Sequence, residues 1–172
     1  MNRRMILRIL GIVLMLEAAF LLLPVLVAAI YRECAGWYYL YTALGCAALG
    51  FVLWRGCRTS LRTIYAREGL VTVALCWIVL SLAGALPFTL CGDIPYYLDA
   101  VFEMVSGFTT TGSSILPNVE ALNRCSLFWR SFSHWIGGMG ILVFMLAIVN
   151  LEGGQAIHLL RAESPGPSVS KM

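Results

Sequence analysis

The sequence predicts an all-α integral membrane protein, with four transmembrane helices plus one re-entrant pore helix and its filter loop. Three observations carry this. Of 172 residues, 60% are hydrophobic and only 12% charged, against roughly 45–50% and 25% in soluble domains. Four apolar stretches reach or approach the ~20 residues that span a bilayer core as a helix. A further segment, Tyr97–Phe108, is too short to span and runs directly into Thr109-Thr-Thr-Gly-Ser-Ser114.

The first span runs from about Met5 to Tyr31, behind Arg3, Arg4 and Arg8. Its apolar run is longer than the ~7–15 residues of a secretory h-region, and Ala28-Ala29-Ile30-Tyr31 is a poor cleavage site, so it reads as a retained helix. Glu17 falls midway along it. A charge there is costly unless it meets a partner or water, and a protonated acid or a bundle-facing partner is expected. The second span, Trp37 to Trp54, carries aromatic residues at both ends, as interfaces favour. The basic loop Arg55–Arg67 reads as a topology determinant, with binding of anionic membrane lipid or a regulatory subunit as the other reading. The third span runs from Gly69 to Leu90, and Pro87 is expected to kink or end it. The fourth runs from Phe128 to Leu151. A polar Gly/Pro/Ser-containing tail follows from Glu152 to Met172 and reads as a cytoplasmic linker. The organisation is thus a two-helix hairpin with its basic loop (1–67), a helix–pore loop–helix unit (68–151) and a linker (152–172).

Charge placement orients the chain. With the N-terminus cytoplasmic, inner pieces hold Arg3, Arg4, Arg8, Arg55, Arg58, Arg62, Arg67, Arg161 and Lys171, and outer pieces only Arg32, Arg124 and Arg130. That bias satisfies the positive-inside rule. Asp93 and Asp99 then lie at the outer mouth, where carboxylates concentrate cations. No basic run resembles a nucleic-acid surface. Six cysteines (34, 46, 57, 76, 91, 125) lack CxxC spacing, which argues against a zinc site. Cys46 and Cys76 read as small packing hydrophobes. Cys34, Cys91 and Cys125 fall on one predicted side without a spacing that specifies a disulfide.

The short segment carries the chemistry. At 1.5 Å per residue its twelve residues cover roughly 18 Å, about half a bilayer. Backbone that leaves helical geometry at that depth is tolerated only inside protein or along a water-filled path. A half-helix ending in a Thr/Gly loop can present carbonyl oxygens to a dehydrated cation. Thr110 and Thr111 are the candidate ligands through their backbone carbonyls. Gly112 permits the backbone twist, and Thr109 and Ser113 flank them, threonine being stiff at Cβ with a hydroxyl to spare. Entered from outside, the helix points its C-terminus, with about half a negative charge, toward the bilayer centre. Asp99, Glu103 and Ser106 share one face, and Glu103 and Ser106 are placed to support the loop from behind. Glu103, an intramembrane ionisable residue, is a functional candidate by default. The competing reading of the loop is an ordinary polar turn between two short helices.

Three ordered motifs bear on the choice: Gly84-Ala-Leu-Pro-Phe88, Phe102-Glu-Met-Val-Ser-Gly-Phe-Thr-Thr-Thr-Gly112, and His134-Trp-Ile-Gly-Gly-Met-Gly140. With Arg67-Glu-Gly69 and Arg161-Ala-Glu-Ser-Pro-Gly-Pro167, they resemble bacterial Trk-type potassium uptake proteins, a TrkH-like membrane subunit of the Trk/Ktr/HKT superfamily. The resemblance extends from Arg8 to Pro167. It implies a multi-pass protein of the bacterial inner membrane that carries potassium, with four helix–pore loop–helix units in one chain, a homodimeric assembly and a cytosolic nucleotide-binding regulatory subunit. It matches Thr110 and Thr111 to the potassium-coordinating pair and Gly112 to the filter glycine. No organic cofactor is implied. This chain holds one unit behind two extra N-terminal helices, so it is expected to be the N-terminal portion of a longer protein rather than a self-assembling tetramer.

Two other classes compete: a non-transporting membrane partner, and an intramembrane serine hydrolase with Ser113 or Ser114 as nucleophile and His134 as base. A serine nucleophile needs a base in hydrogen-bond reach and an oxyanion site, and no GxSxG elbow is present. His134 reads otherwise as a hydrogen-bonded structural residue. Arg130 is expected at the outer interface, pairing with an acid such as Glu120. Gly137, Gly138 and Gly140 read as close helix packing or as a flexible point near the pore.

Overall fold

A computed structural model describes residues 3–57 and 66–151, with backbone only at 66, 67 and 141–151. Arg58, Arg62, the Arg161–Pro167 motif, Lys171 and the linker lie outside the described residues. Among the described residues the chain is all-helical: α1 (Arg3–Tyr31), α2 (Gly36–Gly56), α3 (Ala66–Leu90), α4 (Tyr97–Phe108), a 3₁₀ turn (Val119–Ala121) and α5 (Arg124–Leu151). Among the described residues, three helices, Arg3–Tyr31, Gly36–Gly56 and Glu68–Leu90, are long and apolar enough to cross a membrane. The chain divides into two compact units, Met1–Gly137 and Gly138–Met172. The candidate site lies entirely in the first.

In α1 the buried residues Leu10, Leu14, Glu17, Ala18, Leu21, Pro24 and Ala28 recur every three or four positions. This is one helical stripe. The opposite face, with Ile12, Leu16, Leu22, Leu26 and Ile30, is apolar and exposed, as a lipid-facing surface would be. Glycine brings α2 against α1. A Cβ on Gly11 would lie 2.7 Å from the Gly50 carbonyl oxygen, and one on Gly50 would lie 2.6 Å from that of Gly11. Each glycine admits the other's backbone, the small-residue contact that substitutes for a hydrophobic driving force in lipid.

Pro87 neither ends nor interrupts α3 as assigned, since the helix runs three residues beyond it. Thr89 Oγ1 donates to the Ala85 and Leu86 carbonyl oxygens at 3.3 and 3.2 Å. Cys46 is buried and Cys76 partly so; all six cysteines are free thiols.

The core lies where α1, α3, α4 and α5 meet. Leu21, Ala85, Phe88, Ala100, Met104 and Trp129 are fully buried there. Polar ties cross the bundle at buried points. Tyr39 on α2 donates to Ser126 Oγ on α5 at 2.9 Å, and Trp129 Nε1 donates to the Gly84 carbonyl oxygen on α3 at 3.0 Å. Gly84 faces α4 and α1 closely: a Cβ would come within 2.7 Å of Met104 Cε and 3.0 Å of Glu17 Oε1, so the ends of those side chains would have to shift. The Gly84–Phe88 motif is thus the seat on which α4 rests.

Candidate functional site

Helix α4 spans Tyr97–Phe108, the segment read from the sequence. Its inner face, Ala100, Glu103, Met104, Ser106, Gly107 and Phe108, is buried. Tyr97 ties its start to α3 by donating to the Leu82 carbonyl oxygen at 2.8 Å. Its end packs on α5 through glycine. A Cβ on Gly137 would overlap the Phe108 carbonyl group, and a Cβ on Gly107 would overlap Ser133 Oγ. Of the two readings of the glycine cluster, Gly137 therefore serves close packing.

The helix ends in a motif the sequence did not reveal. Thr110 has φ +55°, the left-handed region that a β-branched residue rarely enters. Thr110 N donates to the Gly107 carbonyl oxygen at 3.0 Å and Thr111 N to that of Ser106 at 3.0 Å. Those two bonds are a Schellman cap, with threonine where glycine is usual. The cap turns the chain sharply off the helix axis. Gly112 also has positive φ, +76°, in keeping with the twist assigned to it. Hydroxyls fill in locally: Thr109 Oγ1 donates to the Val105 carbonyl oxygen at 2.7 Å and sits 2.8 Å from Thr111 Oγ1, and Thr110 Oγ1 donates to the Thr109 carbonyl oxygen at 2.7 Å. Among the described residues, the carbonyl oxygens of Thr110, Thr111 and Gly112 accept no hydrogen bond. All three residues are exposed.

The far side of the loop is fastened down. Ser106 Oγ donates to the Ser113 carbonyl oxygen at 2.6 Å. Glu103 Oε1 accepts from Ser114 Oγ and from the Ile115 backbone N–H, both at 2.6 Å. Its Oε2 accepts from Arg130 Nε at 2.8 Å. Glu103 thus clamps loop and α5 together, its side chain wholly buried and that of Arg130 16% exposed. The partner of Arg130 is Glu103, not Glu120, whose backbone N–H instead donates to Asn118 Oδ1 in the 3₁₀ turn. Asp99 lies on the same face of α4 but makes no bond to the loop among the described residues.

His134 Nδ1 lies 2.9 Å from the Arg130 carbonyl oxygen. Neither Ser113 nor Ser114 bonds to it; the Ser114 hydroxyl is spent on Glu103. The described residues hold no group of three or more metal-ligating His, Cys, Asp or Glu side chains. A cation here would rely on backbone oxygens.

Glu33, between α1 and α2, was not a sequence candidate. Its carboxylate caps α5 from 91 positions away, Oε1 accepting from Arg124 N at 2.8 Å and Oε2 from Cys125 N at 3.0 Å. Partial burial pushes its pKa up. The Cys125 and Arg124 backbone N–H groups, with the Arg124 charge, outweigh this and hold it below the usual carboxylate value. A negative group at a helix N-terminus is stabilising.

Residues 40–172 match the family model TrkH, described as a cation transport protein. The chain is 40% identical over 168 residues to the Trk system potassium uptake protein TrkH of Salmonella typhimurium, covering 97% of this chain and 35% of that relative, with the same figures for the Escherichia coli K12 protein. An uncharacterised cation transporter of Methanocaldococcus jannaschii is 41% identical over 155 residues, 90% of this chain and 32% of the relative. The crystal structure of the potassium transporter TrkH from Vibrio parahaemolyticus superposes with a TM-score of 0.81 at 38% identity, covering 87% of this chain and 32% of that one. The chain spans about a third of the length of the curated relatives it matches. With that match covering α4, the loop after it and α5, the chain belongs to the TrkH family of cation transport proteins.

Proposed function

We propose that the chain takes part in potassium transport across the bacterial inner membrane and contributes one of four helix–pore loop–helix units, residues 68–151, to a channel-like uptake protein. In this reading α5 is the fourth membrane span, the N-terminus is cytoplasmic, and the other three units come from the same longer chain or from other chains. A homodimer of the full protein and a cytosolic nucleotide-binding subunit complete the system. The transported ion is the only cofactor.

The observation that carries the reading is the run of three carbonyl oxygens, on Thr110, Thr111 and Gly112, without hydrogen-bond partners at the end of a half-length helix. Unpaired backbone acceptors at membrane depth are costly, and a dehydrated potassium ion supplies the missing partner. Thr110 and Thr111 would coordinate it, Gly112 would let the backbone turn, and Thr109 and Ser113 would border the site. The α4 C-terminus adds its partial negative charge. Glu103 and Ser106 hold the loop so that its oxygens need not reorganise when an ion arrives. A quarter of a filter cannot enclose an ion, so conduction requires the companion units.

The test is growth rescue of a potassium-uptake-deficient bacterium at low potassium. The expected result is rescue by the segment continued through its downstream pore units and none by Gly112→Asp in that protein. Asp would force a side chain onto φ +76° and add a carboxylate to the ion path. Full rescue by the Asp variant would overturn the filter assignment. For the hydrolase alternative, Ser114→Ala would abolish activity.

A further inference from the structure

Glu17 sits near the middle of α1 and is 2% exposed. Neither carboxyl oxygen has a hydrogen-bond partner. Its surroundings come from every neighbouring helix. Val13, Leu16 and Phe20 of its own helix, Leu80 of α3, Phe108 of α4 and Ile136 of α5 line a cavity of about 50 Å³ with it. Gly84 of α3 abuts Oε1. Cys46 of α2 is the titratable group near enough to feel its charge. No basic side chain stands among these neighbours. The volume exceeds the roughly 10–15 Å³ a water needs, but a bound water also needs two or more polar partners, and the lining offers none besides Glu17. A bare carboxylate enclosed this way would meet neither ion, donor nor solvent, the costliest state for a buried group. Both carboxyl oxygens are buried by this chain's own residues.

We propose that Glu17 is a proton-binding site in the membrane interior, holding its proton at neutral pH directly behind Phe108, the last residue of the pore helix. The ligand is a proton and the bound form is the neutral acid. Ionising it would set a negative charge against the inner wall of the helix that carries the loop. The site stands whether or not the loop conducts potassium.

Infrared spectroscopy of the full chain in lipid nanodiscs at neutral pH tests this. The expected result is a carbonyl stretch of a protonated carboxylic acid that shifts in D₂O and is absent from Glu17→Gln. A spectrum in which Glu17→Gln removes only carboxylate bands, leaving the acid region unchanged, would overturn it. Should the Gln variant fail to fold, Glu17→Asp provides the second readout. Displacement of the acid band supports the assignment, and an acid region identical to wild type overturns it.

Discussion

The Glu103 clamp on the loop after α4 makes a quantitative prediction. Glu103 and Arg130 form a pair whose side chains are 0% and 16% exposed, so solvent screens it little. Removing one member strands the other charge, a loss of about 3–5 kcal/mol for buried pairs. Glu103→Gln keeps an amide oxygen for Ser114 and Ile115, which puts the loss on the Arg130 side, at about 3 kcal/mol. Arg130→Gln strands the Glu103 carboxylate, but two donors at 2.6 Å still hold it, so its expected loss is smaller, about 2 kcal/mol. The double variant strands neither charge. It should be no worse than the poorer single variant, a coupling of about 2 kcal/mol. The assay is denaturant unfolding in detergent micelles, followed by the fluorescence of the tryptophans, of which Trp129 is fully buried beside the pair. If the two single losses add to within about 0.5 kcal/mol, the clamp is not an energetic unit and the argument fails.

Further outcomes can be measured the same way. Gly137→Ala puts a methyl onto the Phe108 carbonyl group and should cost about 1–3 kcal/mol, whereas Gly45→Ala, with nothing within 4 Å, should be neutral or gain up to about 1 kcal/mol; equal effects would refute the packing argument. Thr110→Gly relieves about 1–2 kcal/mol of left-handed strain and forfeits the Thr109 hydrogen bond, about 1 kcal/mol, so stability should move by less than about 1 kcal/mol; a loss above about 2 kcal/mol would refute this balance. Glu33 is held below its unfolded value, so its contribution is complete above the ordinary carboxylate range and is lost as pH falls through the folded value. Wild type should therefore be more stable than Glu33→Gln near about pH 6 and lose that advantage toward about pH 3; an advantage that grows in acid would reverse the sign and sink the capping argument.

Much of the unit was legible in the chain. The extent of α4, Tyr97–Phe108, could be read because a short apolar run leads straight into a Thr/Gly/Ser cluster. That cluster is a local signal that acts within a turn of the helix end. Glu103 and Ser106 could be placed behind the loop because helical periodicity puts them on one face. The cap at Thr110 was hidden for the opposite reason. Threonine is a poor left-handed residue, and local preference assigns the turn to Gly112 instead. α5 begins at Arg124, a turn ahead of the apolar run that starts at about Phe128, and the Glu33 cap on its first N–H groups comes from another part of the chain.

Composition, hydrophobic run length and charge placement determined by themselves that this is a membrane protein with a half-length helix feeding a polar loop. These properties act over one helix at a time. Only the tertiary structure decided that Arg130 answers Glu103 across 27 positions, that Glu33 caps α5 across 91, that Gly137 yields its side-chain space to Phe108, and that Glu17 is enclosed without a partner. Each depends on which faces of separate helices meet. No local pattern encodes that, because packing is settled by shape and polar satisfaction among residues far apart in sequence.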